Sequence, residues 1–371
     1  MPISTAWADA YHAACCAVGA EVREDLRGTG CTGALTVRGN TFNNFNRRLE
    51  DKDVEAVVVA LREFRGVSSI CLPFNNISDR GGALLGEALA QYADSLVRLD
   101  LQYNSLGSAA AEALARGVES NDSLCALLLA GNPLGGQCGL ALHAALRHNT
   151  TLSVLDLYNT EMSVQSLVPL CRSLGANRSL ISLNIGRPLL RGPDEVASVV
   201  DHLSTALKSN STLEELNVSY FGMTDGELQA LVVALCASAV MTLSLKGNKL
   251  SEDAGLLLTR LLERRHDFRQ LDVSCNRLRD KGACDLAKGV AQHPQLASLS
   301  VASCTIGEVG LARLIESLCS CAALQQLALW GNSITPGVAQ TLSRTFGDLR
   351  KMESVDFGVE QRDGEWMAYR S

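Results

Sequence analysis

The sequence predicts an α/β solenoid: a curved stack, or horseshoe, of about eleven 28-residue strand-helix units, with parallel strands on the concave face and helices on the convex face. Three observations predict it. The phrase L-x-x-L-x-L-x-x-N-x-L recurs, as at Leu96, Leu99, Leu101, Asn104 and Leu106, again at 124–134 and 240–250, and last at 324–334, where Ile334 closes it. Its Asn position falls at 40, 75, 104, 132, 160, 188, 221, 248, 276, 304 and 332, so eight of ten intervals lie within one residue of 28. Only a repeated structural unit sustains such a period. Between the phrases run segments such as Gly82 to Tyr92 and Gly136 to His148, whose apolar residues recur at i, i+3, i+4 and i+7.

Each letter of the phrase has a physical reason. The L-x-L segment is a short strand with one face buried, and the flanking leucines turn the chain into the same core. The Asn side chain sits inside the turn, where its amide bonds backbone groups that no ladder satisfies. Polar residues ahead of the helices, such as Asp79 and Ser108, suit N-caps. Helices are wider than the strand spacing of ~4.8 Å, so the stack must curve. This is the leucine-rich repeat in its long form.

The defects are informative too. Thr160, Pro188, Phe221 and Cys304 stand at the Asn position in four units, and the interval from Pro188 to Phe221 is five residues too long. Residues 31–346 therefore read as a solenoid with an irregular unit near 185–222, and Ile185 to Pro193 reads as a bulge. Residues 1–30 read as an N-terminal helical cap, with Ser4 to Gly19 as an amphipathic helix, because the end of a solenoid is apolar. In 347–371 the pattern stops. There Val355 to Val359 and Glu365 to Tyr369 flank Arg362-Asp363-Gly364, a hairpin turn, so the segment reads as a C-terminal cap or tail.

Composition narrows the chemistry. The chain carries 33 basic and 40 acidic residues, a net charge of −7, which argues against a nucleic-acid partner. No apolar run approaches the ~18 residues of a membrane span, and the N-terminus lacks the basic region of a signal peptide. Thirteen scattered cysteines without zinc spacing read as free thiols in a reducing compartment. The six Asn-x-Ser/Thr sequons, Asn149, Asn177 and Asn210 among them, then read as unmodified turn residues. Gly28-x-Gly30-x-x-Gly33 matches a dinucleotide fingerprint but precedes a strand instead of following one. The histidines are isolated and read as surface or helix-end residues. His143 and His148 are five apart, not four. Neither these nor the neighbouring Cys15 and Cys16 make a catalytic or metal set, so no catalytic residue, metal or cofactor is expected.

Several segments resemble the leucine-rich repeat-containing protein 34 family, within the ribonuclease-inhibitor-like superfamily. They are Arg48-Leu49-Glu50-Asp51-Lys52-Asp53 ahead of the first full repeat, the central Asn184 to Leu190 followed by Asp194-Glu195, Leu329 to Asn332 in the last repeat, and the tail with Val355-Asp356 and Asp363-Gly364. Members of the family tend to run beyond the position of Ser371. The resemblance implies a non-enzymatic interaction protein, nuclear or nucleolar in some members.

The candidate binding residues are those that strand geometry turns into the concave bay. One column holds Cys71, Asp100, Leu128, Asp156, Asn184, Asn217, Ser244, Asp272, Ser300 and Ala328. Aromatics are only 5% of the chain, yet Phe74, Tyr103, Tyr158, Tyr220 and Trp330 project beside that column. Exposed aromatics ringed by charge are the usual anchors of interfaces. Arg98, Asp100, Asp156, Arg187, Glu214, Glu215 and Arg269 supply the charge. The expected function is a scaffold gripping a protein partner through this face, with no nucleic acid, membrane or small-molecule substrate, the chain itself being monomeric and cytoplasmic or nuclear. The alternatives are a structural subunit of a large assembly such as a ciliary axoneme, or a GTPase-activating protein for a small nuclear-transport GTPase, which usually carries an acidic tail absent here.

Overall fold

A strand of three residues opens each repeat, and its middle residue, a leucine or isoleucine in nearly every case, is buried. The computed structural model describes residues 3–28, 33–136, 138–291, 293–346 and 353–370. Gly30 and Cys31 of the glycine motif, and the boundary at Gly347, lie outside them. The chain divides into two units, Met1–Arg191 and Gly192–Ser371.

The first unit runs α1 (Ile3–Val18), α2 (Glu24–Gly28), β1 (Ala34–Thr36), α3 (Asp51–Glu63), β2 (Ser69–Cys71), α4 (Asp79–Gln91), β3 (Arg98–Asp100), α5 (Ser108–Ser120), β4 (Ala126–Leu128), α6 (Gly139–His148), β5 (Val154–Asp156), α7 (Val164–Leu174) and β6 (Ser182–Asn184). The second runs α8 (Pro193–Leu207), β7 (Glu215–Asn217), α9 (Asp225–Leu235), β8 (Thr242–Ser244), α10 (Ala254–Arg264), β9 (Gln270–Asp272), α11 (Arg279–Val290), β10 (Ser298–Ser300), α12 (Glu308–Leu318), β11 (Gln326–Ala328), α13 (Pro336–Phe346), β12 (Ser354–Val355), β13 (Phe357–Arg362) and β14 (Glu365–Arg370). Within each unit the repeat strands pair parallel in chain order. Register follows the repeat: Cys71, Asp100, Leu128, Asp156 and Asn184 align across β2 to β6, and Asn217, Ser244, Asp272, Ser300 and Ala328 across β7 to β11.

Asn75, Asn104, Asn132, Asn248, Asn276 and Asn332 form a ladder that closes the turns after their strands, whereas Asn40 of the first repeat is exposed. Asn132 donates to the carbonyls of Leu101 (2.9 Å) and Leu129 (2.8 Å) and accepts from the amides of Asn104 and Leu106 (both 3.1 Å). One side chain thus joins two repeats. Where Asn is missing, the backbone compensates. Thr160 Oγ1 donates to Leu157 (2.7 Å) and Cys304 Sγ lies 3.2 Å from the Val273 carbonyl. The carbonyls of Thr160 and Cys304 then accept from Gly135 and Arg279 of the preceding repeat, and the next residues, Glu161 and Thr305, take φ of 57° and 55°. Phe221 instead joins the core.

The long interval resolves mostly into helix. Compared with α7, α8 carries four extra residues, about one turn, and only one is added to the loop before it. Pro193, Asp194 and Glu195 form its first turn, where proline needs no amide partner and acids face the positive helix end.

Helix starts show a difference from the sequence expectation. The N-caps are Ser78 and Gly107, so Asp79 and Ser108 lie one residue inside their helices. Asp79 caps the next helix instead, accepting from Gly107 (2.7 Å) and Ala110 (2.9 Å). Asp51 does the same for Ser78 and Gly81, and Asp280 for Gly307 and Gly310. The α4–α5 seam is tight as well: a Cβ on Gly86 would stand 2.5 Å from the backbone of Ala113.

The elements outside the repeats pack against them. Trp7 and Tyr11 of α1 are fully buried and stacked at 5.8 Å, and Trp7 Nε1 donates to the Leu26 carbonyl (2.8 Å). At the other end β12 adds a parallel strand beside β11. The hairpin β13–β14, closed by Asp363 and Gly364 at φ 51° and 87°, then packs on α13.

Candidate functional site

Backbone conformation sets the strand face. The residue just before the ladder position is left-handed in ten successive repeats, at 74, 103, 131, 159, 187, 220, 247, 275, 303 and 331. Glycine fills three of these positions. Phe74, Tyr103 and Tyr220 sit at others with φ of 62°, 52° and 56°, a conformation that costs a residue with a Cβ ~1–2 kcal/mol.

The two units carry this column differently. In the first, Phe74 and Tyr103 stack face to face at 4.5 Å, 6° from parallel. Tyr103 lies over Gly131, where a Cβ would meet its ring at 2.3 Å. In the second, Tyr220 lies over Gly247 in the same way, and Cys275 and Ser303 follow, both small and exposed. Tyr103 and Tyr220 are each 41% exposed, while Phe74, Tyr158 and Trp330 are half-buried.

The charged candidates separate by role. Asp100, Asp156, Asn184, Asn217 and Asp272 each accept a bond from the amide two residues on, at 2.9–3.2 Å. That bond satisfies an amide just past the strand end, so these side chains serve the backbone first. Asp100 is only 8% exposed, with Arg98 at 3.5 Å. Asp156 lies two strands away, with Gln102 Nε2 at 3.4 Å. Burial holds its carboxyl above the usual range, the Tyr158 amide opposes this, and the Asp100 charge adds to it. Arg98, Arg187 and Glu215 are exposed. Thus Phe74 with Tyr103, and Arg98 with Asp100 and Asp156, are brought together in the first unit. Glu215, Tyr220 and Trp330 lie on separate repeats of the second. Asp356, following β12, accepts from the Leu329 (2.8 Å) and Trp330 (3.0 Å) amides and so fixes the last repeat's loop.

A second polar ladder, at the turn from helix into strand, shows in the sequence only as a run of sequons. Asn149 donates to the Val118 (2.7 Å) and Asn121 (2.8 Å) carbonyls and accepts from the Leu152 amide (2.7 Å). Asn121, Asn177 and Asn210 are buried at the equivalent turns. These are four of the sequons, and burial closes them to modification in the folded chain. Later repeats answer the same demand with Arg265 and His293. Arg265 donates to the carbonyls of Leu235, Ser238 and Val240 at 2.6, 2.6 and 3.1 Å. It also pairs with Asp267 at 2.8 Å. His293 Nδ1 accepts from the Leu296 amide, with Nε2 3.0 Å from the Arg265 carbonyl. His293 thus sits at a helix end but is buried. The only sequence signal was the sequon spacing, which stops at Asn210.

Among the described residues, no group of three or more His, Cys, Asp and Glu could hold a metal ion, and no helix is long and apolar enough to cross a membrane.

Comparison with known proteins adds the following. The family model described as Leucine Rich repeat matches residues 94–115 and 266–287. Leucine-rich repeat-containing protein 34 of Mus musculus is 29% identical over 179 residues, 48% of this chain and 43% of the relative. NACHT, LRR and PYD domains-containing protein 13 of Homo sapiens is 30% identical over 145 residues, 38% of this chain and 14% of the relative. The ribonuclease inhibitor of Sus scrofa is 28% identical over 299 residues, 80% and 59%. Each match spans less than two thirds of the relative's own length. A crystal structure of an internalin from Listeria monocytogenes aligns with a TM-score of 0.49 at 17% identity, over 97% of this chain and 98% of that one. The chain is built of leucine-rich repeats as an α/β solenoid, and it is a distant relative of leucine-rich-repeat proteins, the ribonuclease inhibitor among them.

Proposed function

We propose that this chain is a non-enzymatic interaction scaffold that holds a protein partner against the strand face of its repeats. The observation that carries the reading is the Phe74–Tyr103 stack. Two aromatic side chains occupy left-handed positions where glycine would cost less, and they stand parallel at 4.5 Å beside the ladder residues Asn75 and Asn104, which are hydrogen-bonded across repeats. A rigid aromatic pair loses little side-chain entropy on binding, which is what an interface anchor requires. Arg98 and Arg187 give the polar surround. The resemblance to leucine-rich repeat-containing protein 34 supports the same class of role.

The compartment we propose is the cytoplasm or the nucleus. The twelve described cysteines are free thiols, five of them buried, and unpaired thiols in this number suit a reducing compartment.

The test is proximity labelling in the native cell. Wild type is compared with a Tyr103→Ala, Tyr158→Ala, Trp330→Ala variant whose fold is matched by circular dichroism. The expected outcome is loss of a discrete set of neighbours. An unchanged set moves the contact to the helices or the two ends.

A further inference from the structure

We propose that a cleft in the second unit, lined by Asn248, Lys249, Cys275, Asn276, Arg277, Ser303 and Thr305, receives the carboxylates of an acidic peptide segment. This deepens the scaffold reading and rests on it, naming a second contact and the chemistry of the partner there.

The cleft lies along the left-handed column. In the second unit the Tyr220 ring covers Gly247, and the small residues Cys275 and Ser303 follow. A space of about 640 Å³ lies at Cys275 and Ser303, beside the loops that follow β8, β9 and β10. Lys249 and Arg277 line it from equivalent positions of adjacent repeats, each directly after its ladder Asn, and both are exposed.

Their placement around one cleft is what points to a ligand. Lys281, Lys288 and Arg265 of this unit are held by acids, Asp253 and Glu252, Asp285, and Asp267 respectively, whereas several other cations, Lys246 and Arg269 among them, are not; of these, Lys249 and Arg277 share a cleft. Among the described residues Lys249 and Arg277 have no ion pair, and no carboxylate lines the cleft. Like charges on neighbouring repeats repel, and that repulsion is relieved when an anion enters. Arg277 offers a planar fork suited to a carboxylate, and Lys249 a mobile point charge. The Ser303 and Thr305 hydroxyls, one repeat on, can donate to the same guest. The space exceeds what one ion needs and suits a short run of side chains. A long nucleic acid's phosphates extend well past two cations, which leaves a peptide with local acidity as the fitting guest.

The experiment uses the full chain and a fluorescein-labelled hexaglutamate peptide, read by fluorescence anisotropy, with hexaglutamine and oligouridylate as comparison probes. The expected result is binding of hexaglutamate over hexaglutamine that weakens with salt. It should weaken about tenfold in Lys249→Gln, Arg277→Gln and stay unchanged in Arg260→Gln, Arg264→Gln on the outer helices. Hydrogen exchange of the ladder amides checks that the variants keep the fold. Equal affinity in the Lys249, Arg277 variant overturns the proposal, as does hexaglutamine binding equally well or oligouridylate binding more tightly. The scaffold reading is judged separately by the Tyr103, Tyr158, Trp330 variant, in which both cleft cations remain.

Discussion

At the turn from helix into strand, the two units meet one demand with different chemistry. Carbonyls and amides left over there must be bonded across the repeat boundary. The first unit uses Asn121, Asn149 and Asn177, neutral amides that donate and accept at once. The second begins with Asn210 and passes to a guanidinium at Arg265 and an imidazole at His293. A buried amide is indifferent to pH, whereas a buried imidazole is not. A buried guanidinium brings charge that must be satisfied on every side. The same fold therefore has one unit whose stability should be insensitive to acid at this ladder and one whose stability should respond to it.

The largest effect expected from breaking this contrast is at Arg265. Arg265→Leu strips three carbonyls of charge-assisted donors and should cost about 3–5 kcal/mol. Asn149→Leu removes neutral bonds and should cost less, about 2–3 kcal/mol. Urea unfolding with hydrogen exchange resolved by segment would assign each loss to its own unit. An Asn149 variant as damaging as the Arg265 variant would erase the distinction.

Acid should sharpen it. Burial holds the His293 imidazole below the ordinary histidine value of 6.5. The Arg265 carbonyl and the Asp267 charge oppose this, and His266 reinforces it. The unfolded chain therefore takes up a proton at a pH where the folded unit does not. The stability owed to neutral His293 is complete above pH 6.5 and is lost as pH falls from there through the lower folded-state value. His293→Asn, which restores the chemistry of the first unit, should flatten that fall. Protection of second-unit amides measured between pH 7.5 and 5 would check it, and an equal slope in wild type and variant would remove His293 as the cause.

The smallest effect on stability is expected at the aromatic column. Tyr103→Ala should cost about 0.5–1.5 kcal/mol beyond the lost area of its stack on Phe74. The ring is partly exposed and replaces no backbone bond. Tyr220→Ala, with no aromatic partner in its column, should cost less. Thermal melts of the two variants compare them, and a larger loss at Tyr220 would show that its cover of Gly247 outweighs the stack.

The repeat was legible because stacking imposes an identical demand every 28 residues, and one residue type, Leu or Asn, meets each demand best. The helix-to-strand ladder was legible only as a run of sequons, since Asn, Arg and His can all bridge the same groups and share no pattern. Asp79 read as a cap for its own helix because local spacing suits that. The helix it caps begins 29 residues later, and only the stack brings the two together. The repeat period placed the aromatics beside the strand face, but the left-handed turn that carries Phe74, Tyr103 and Tyr220 was not legible, and Asp100 and Asp156 looked like free surface charge and serve first as partners of strand amides.

The order of strands and helices, the buried leucines and the strand-face columns were determined by the sequence itself, because period and polarity act locally and repeat. Tertiary structure decided which side chains reach across repeats, where a left-handed backbone places an aromatic ring, and that Lys249 and Arg277 line one cleft. Each of these depends on residues about 28 positions apart lying side by side, a proximity that exists only once the repeats have stacked.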